Sequence, residues 1–331
     1  MMYGRCFILS DIIVNGYAYP YISQTVLREW LPSLTFTASF SYGFTVSGEL
    51  VDLNDEALLN TVHEEGGMSL LVLTPIDETG SFNTALVSEL LNTPYAVDNL
   101  IENLLVMLKL NGMNGVDFDF EYLMPEDRDK YTAMVKRARE VLNGEGYVVT
   151  VALAPKTSSD QKGLLYEGHD YGGMGYAANY VLLMTYEWGY TYGPPMAVAP
   201  YNQVRRVIDY GLTEIPADKI WMGMANYGYD WTLPFVQGES RAEKISNPEA
   251  VARAARYGAV IQFDELAQSP YYNYVDENGR EHEVWFENAA SWRAKLNLII
   301  EFGLAGIGIW NVMDSFPEGI ALINEMFTIV K

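Results

Sequence analysis

Between Asn114 and Tyr122 the chain reads Asn-Gly-Val-Asp-Phe-Asp-Phe-Glu-Tyr. In an extended strand, alternate side chains point to opposite faces. Asp117, Asp119 and Glu121 therefore share one face, and Val116, Phe118 and Phe120 share the other. A solvated polar face would be the bland account of the acids. The apolar face argues against it, because it needs a packed layer of helices and so sends the carboxylates inward. Three crowded carboxylates cannot all ionise, so a proton is shared and at least one pKa rises. An acid that keeps its proton near neutral pH is what general acid catalysis requires.

The elements that must hold this strand are readable from the pattern. Eight short β-rich runs occur at Asp11–Tyr17, Thr35–Tyr42, Met68–Thr74, Gly115–Tyr122, Tyr147–Ala154, Tyr180–Tyr186, Lys219–Tyr227 and Ala305–Trp310. Several are nearly all apolar, as strands covered on both faces should be. Helical patterns alternate with them over about Pro94–Leu110, Asp127–Leu142, Tyr201–Tyr210 and Ala290–Phe302. In the first, Val97, Leu100, Ile101, Leu104, Leu105 and Leu108 fall on one face. This order predicts an α/β protein, a (β/α)8 barrel, which needs roughly 250 residues. Glu121 then lies at the C-terminal end of the fourth strand, where barrel active sites are built.

The surplus sits after the seventh strand. Residues 232–287 read as a small α+β insertion within a single catalytic domain spanning 1–331. It has a helix capped by Asn247, with Pro248 first and then Glu249–Tyr257. It also has a hairpin of Tyr271–Val275 and Glu281–Phe286 around Glu277-Asn278-Gly279.

Composition bounds the function. The 331 residues are 49% hydrophobic and 13% aromatic, which excludes disorder as the main state. Forty-three acidic against 21 basic residues give a net charge of −22, the wrong sign for nucleic acid or an anionic membrane. No run approaches the roughly 18 apolar residues of a membrane helix. Near the start, Arg5 and Cys6–Leu9 give no working signal peptide, since Asp11 cuts the apolar run short. Cys6 is the only cysteine, and His63, His169 and His282 are scattered without metal-binding spacing. No metal and no cofactor is expected.

The run ending at Glu121 resembles the DxxDxDxE signature of glycoside hydrolase family 18, the chitinase-like barrels. Asp117, Asp119 and Glu121 match its last three acids, and Asn114 replaces the first. Leu183–Tyr190 followed by Gly193–Ala197 is similar to the sixth-strand region of the spore cortex-lytic branch of that family. Lys219–Trp231, Ala267–Pro270, Glu283–Glu287 and Asn15-Gly16-Tyr17 fit the same branch. The resemblance covers about residues 11–318, without the LysM repeats that members often carry.

What the resemblance implies is a retaining glycosidase, an exception to the usual two-carboxylate scheme. Glu121 protonates the glycosidic oxygen while the sugar's own 2-acetamido carbonyl attacks the anomeric carbon. Asp119 orients the acetamido group, Asp117 shares a proton with Asp119, and Tyr186 hydrogen-bonds the acetamido oxygen. Trp310, closing the eighth strand, is placed to form an apolar floor beneath a sugar ring. Met184 lines the wall, and Tyr227, Asp230 and Trp231 hold the analogous place on the seventh strand. Glu187 stands where the chitinases usually have Asp. The expected substrate is an N-acetylglucosamine glycan, foremost spore cortex peptidoglycan, and the expected setting is the cortex, coat or cell wall of a bacterium. A chitinase is the alternative within the class, and a non-catalytic sugar-binding protein is the alternative outside it. Those lectins usually replace the acid that Glu121 retains. A monomer without nucleic-acid or membrane partners is expected.

Overall fold

The computed structural model of the chain describes residues 9–77 and 79–331. Arg5 and Cys6 lie outside the described residues. Eight parallel strands form the centre: β1 (Ser10–Ala18), β2 (Phe36–Phe44), β3 (Met68–Leu73), β4 (Gly115–Phe118), β5 (Val148–Leu153), β6 (Tyr180–Leu183), β7 (Ile220–Ala225) and β8 (Gly306–Trp310). Each pairs with its sequence neighbour, and β8 pairs with β1 (Ile13 opposite Gly306) to close the barrel. The fold is the (β/α)8 barrel.

Packing explains why these segments became strands and helices. Phe118 and Phe120 leave water entirely on the helix side of β4, a burial that stabilises by roughly 2 kcal/mol each. Phe120 stacks on Tyr131 of the helix Arg128–Gly144 at 5.2 Å and on Phe44 at 5.1 Å. The helix Ala96–Asn111 buries Leu100, Ile101, Leu104 and Leu108 on one stripe and stops at Gly112, whose φ of 63° suits glycine. Asn288 and Ser291 cap the helix Ala289–Phe302 reciprocally.

Two strands are shorter than the pattern suggests. The expected strands Gly115–Tyr122 and Tyr180–Tyr186 pair only to Phe118 and Leu183. Beyond those points the chain turns on the rim. Tyr186 N–H donates to Met184 O, and Tyr122 and Glu187 adopt φ of 54° and 67°. Positive φ costs a non-glycine residue energy and is held only where the surroundings demand it.

The insertion also differs from its expected 232–287. Its five-stranded antiparallel sheet runs in the order Glu243–Ile245, Gly228–Thr232, Glu281–Trp285, Ser269–Val275, Gln262–Asp264. Gly228–Thr232 therefore belongs to the insertion and not to the seventh barrel strand. The helix Asn247–Tyr257 packs Ala250 and Ala254 against this sheet. Its cap is Ser246, whose side chain accepts from Glu249 N–H. Asn247 is diverted, because its side chain donates to Asn226 and accepts from Glu287 N–H.

Candidate active site

Side-chain alternation outlasts the β4 ladder and carries the acids into the barrel mouth. Asp117 is fully buried, with Oδ1 accepting from Thr150 Oγ1 at 2.5 Å and Oδ2 from the Tyr17 hydroxyl at 2.7 Å. Asp119 is buried too, but its Oδ1 has no hydrogen-bond partner among the described residues. An orphaned buried carboxyl oxygen in a native fold calls for an explanation, and a site for substrate is one. Glu121 stands half-buried in the wall of the same cavity.

All three carboxyls titrate above the ordinary range. Burial is the main cause for each, since it penalises the charged form. The charges of Glu121 and Asp117 push Asp119 up further, well above its usual value. Glu187 does the same for Glu121. The hydroxyls of Thr150 and Tyr17 pull Asp117 back.

The strand end is clamped by a residue without sequence signal. His169, wholly buried, accepts the Ala154 N–H on Nδ1 at 2.9 Å, so Nε2–H donates to Phe120 O at 2.9 Å. Burial lowers its pKa to about 4, and the ring stays neutral. The backbone between Asp119 and Glu121 is thereby tied to the end of β5.

A cavity of about 630 Å³ opens over the acids at the C-terminal end of the barrel. Trp310 lies in it, edge-on to Phe40 at 4.8 Å and tilted against Tyr17 at 5.7 Å. Met184 and Tyr186 line it from beyond β6. The Tyr186 hydroxyl donates to no described residue, and its ring fits only because position 223 is glycine: a Cβ there would lie 2.7 Å from Tyr186 Cε1. Glu187, exposed at the rim, accepts hydrogen bonds from the hydroxyls of Tyr227 and, at 3.1 Å, Tyr229.

Three expected substrate contacts fall elsewhere. Asp230 is buried in the insertion, bonded to His282 Nδ1 at 2.7 Å, the Tyr274 hydroxyl at 2.7 Å and Arg253 at 2.5 Å. Trp231 is buried, does not line the cavity, and donates Nε1–H to Gly193 O at 2.7 Å. Tyr227 is a buried support for Glu187 and does not line the cavity. In the other direction, sequence reasoning missed Phe40, Tyr122, Tyr190 and Lys244, which line the cavity. Tyr17 had a signal in Asn15-Gly16-Tyr17, whereas Lys244 had none. A second cavity, of about 650 Å³ beside Asp55 and His63, contains none of the expected residues. No group of metal-ligating side chains exists among the described residues, and none of their helices is long and apolar enough to cross a membrane.

The cavity at the barrel mouth thus brings together an orphaned buried acid, a second acid with a raised pKa and an indole ring. Residues 80–314 match the profile of Glycosyl hydrolases family 18, and the chain belongs to that family. It is a glycoside hydrolase. It is 40% identical over 327 residues to the cortical fragment-lytic enzyme of Bacillus subtilis, covering 97% of this chain and 76% of that one. Its fold superposes on the crystal structure of the Bacillus cereus spore cortex-lytic enzyme SleL with a TM-score of 0.93 and 38% identity, covering 98% of this chain and 76% of that one. A chitinase from Chromobacterium violaceum shares the fold at a TM-score of 0.88 and 23% identity, over 95% of this chain and 98% of that one.

Proposed function

We propose that the chain hydrolyses β-1,4 bonds beside N-acetylglucosamine in bacterial spore cortex peptidoglycan fragments, with retention and by substrate-assisted catalysis. The observation that carries this reading is Asp119, buried and unpartnered, on the same face as Glu121 and open to the same cavity. Glu121, its pKa raised, donates its proton to the glycosidic oxygen. The 2-acetamido carbonyl oxygen attacks the anomeric carbon as that bond breaks. Asp119 accepts the acetamido N–H and offsets the positive charge of the cyclic intermediate, while Asp117 takes the proton the two aspartates share. Thr150 and Tyr17 already donate to Asp117 and hold it in place for that exchange. The Tyr186 hydroxyl donates to the acetamido oxygen. Trp310 carries the sugar ring and Met184 packs at its edge. Glu187, steadied by Tyr227 and Tyr229, contacts the sugar from the rim and keeps Glu121 protonated. Water then opens the ring, returning a proton to Glu121.

Similarity to the cortical fragment-lytic enzyme favours cortex fragments over chitin and supports a setting at the bacterial spore. Two inversions give a β-anomer first, and time-resolved proton NMR of early products reads it directly. An initial α-anomer, or equal hydrolysis of a glucoside lacking the acetamido group, overturns the mechanism. Side-by-side digestion of cortex fragments and N-acetylglucosamine oligomers, read by mass spectrometry, tests the substrate.

A further inference from the structure

The insertion brings positive charge to a largely aromatic cavity whose lining carries the acids Asp119, Glu121 and Glu187. Lys244, on the strand Glu243–Ile245, lies in the cavity wall with its ammonium 3.9 Å from the centre of the Tyr227 ring and 5.9 Å from that of Trp310. Three residues earlier, the Arg241 guanidinium lies 5.5 Å from the Tyr192 ring. The segment is docked on the barrel rim by Ala242 N–H donating to Thr191 O at 2.8 Å. Arg253, in the same insertion, pairs with Asp230, Glu243 and Glu249. Lys244 and Arg241, by contrast, form no ion pair or hydrogen bond among the described residues. The ring beneath Lys244 fixes the place of the ammonium without using up its N–H donors.

A ligand carrying carboxylates approaches this site against a net charge of −22 and against Asp119, Glu121 and Glu187. A cation beside the indole floor offsets that repulsion where the sugar would lie. We propose that Lys244, with Arg241 as a weaker helper, binds a carboxylate carried by the glycan, so that the insertion selects acid-bearing peptidoglycan fragments over neutral oligomers. This deepens, and rests on, the substrate reading above.

The test is calorimetric binding to the Glu121→Gln protein, alone and combined with Lys244→Met. The two ligands are a muropeptide fragment with free stem-peptide carboxylates and the neutral N-acetylglucosamine tetramer. Lys244→Met should weaken the muropeptide about tenfold and the tetramer less than about twofold. Lys244→Arg should retain most of the preference, Arg241→Gln should lose less than Lys244→Met, and raised salt should narrow the gap. Equal weakening of both ligands, or no weakening of the muropeptide, overturns the inference while leaving the substrate reading intact. A wild-type enzyme that cleaves the tetramer but no muropeptide overturns the substrate reading, and the inference with it, before any lysine variant is made.

Discussion

Two groups of acids, more than a hundred residues apart in sequence, are built on opposite terms. At the barrel mouth Asp117, Asp119 and Glu121 face one another with hydroxyl donors to one of them and no cation bonded to any. In the insertion Asp230 meets Arg253, His282 and Tyr274, so its charge is matched before substrate arrives. Glu287 and Lys295, each 1% exposed and 2.7 Å apart, repeat the second arrangement. Countercharge separates the two kinds. A buried acid with its cation holds the fold together, and a buried acid without one stores protonation energy that chemistry can use.

The sharpest way to break the comparison is at Glu121. Glu121→Gln should lower kcat by about 10²–10⁴-fold with an unchanged circular dichroism spectrum and melting temperature. A near-native rate would show that the proton comes from elsewhere. Asp119→Asn should cost about 10²–10³-fold in kcat, because an amide cannot offset the developing charge. It should also raise the melting temperature at neutral pH, since it removes a carboxyl whose pKa is raised well above its unfolded value by burial. A drop in both would place Asp119 with Asp230 as a structural acid.

Asp230→Ala should do the reverse. Stranding Arg253 and Tyr274 should cost about 3 kcal/mol in chemical denaturation and leave kcat unchanged. A selective loss of kcat would return Asp230 to the catalytic machinery.

The smallest effect is in pH dependence, where the two regions have opposite signs. As the proposed general acid Glu121 acts in its protonated form, so the rate should fall as pH rises through its raised pKa. Glu187→Gln removes one cause of that rise and should move the falling limb to lower pH. For stability, Asp119 has a folded pKa above its unfolded one, so the fold loses stability as pH rises from the ordinary carboxylate range through the raised value. Asp276 in the hairpin turn is held well below the usual range by N–H donors from Arg280 and Asn278 and by the Arg280 guanidinium. Its contribution is present above the ordinary range and is lost as pH falls. Denaturation across pH should lose the first slope in Asp119→Asn and the second in Asp276→Asn. Parallel slopes in both variants would erase the distinction.

Much of this was legible in the chain. The alternation of Asp117, Phe118, Asp119, Phe120 and Glu121 was enough to place the acids inside a barrel, because only one face of that strand tolerates helices. Asn278-Gly279 marked the hairpin for a similarly local reason, with Gly279 at φ 78°. Asp230 was misplaced because Tyr229-Asp230-Trp231 alternates as well as any barrel strand. Its sheet is decided by its partners, Glu243 on one side and Val284 on the other. Ser246 and Asn247 are both good caps, and only Asn226 and Glu287 reveal which one is free to serve.

Local order follows from the chain because strand period, helix period and turn chemistry act over a few residues. Eight strands, their helices and an acid-bearing fourth strand therefore emerge from neighbouring side chains alone. Which acid finds a cation does not, because Arg253 reaches Asp230 across 23 residues and Lys244 comes to the Trp310 floor from 66 residues away. Those meetings depend on how the barrel closes and where the insertion folds back. Electrostatic energy depends on distance in space, so only the tertiary structure could decide which carboxylates were paired with a cation and which were left without one.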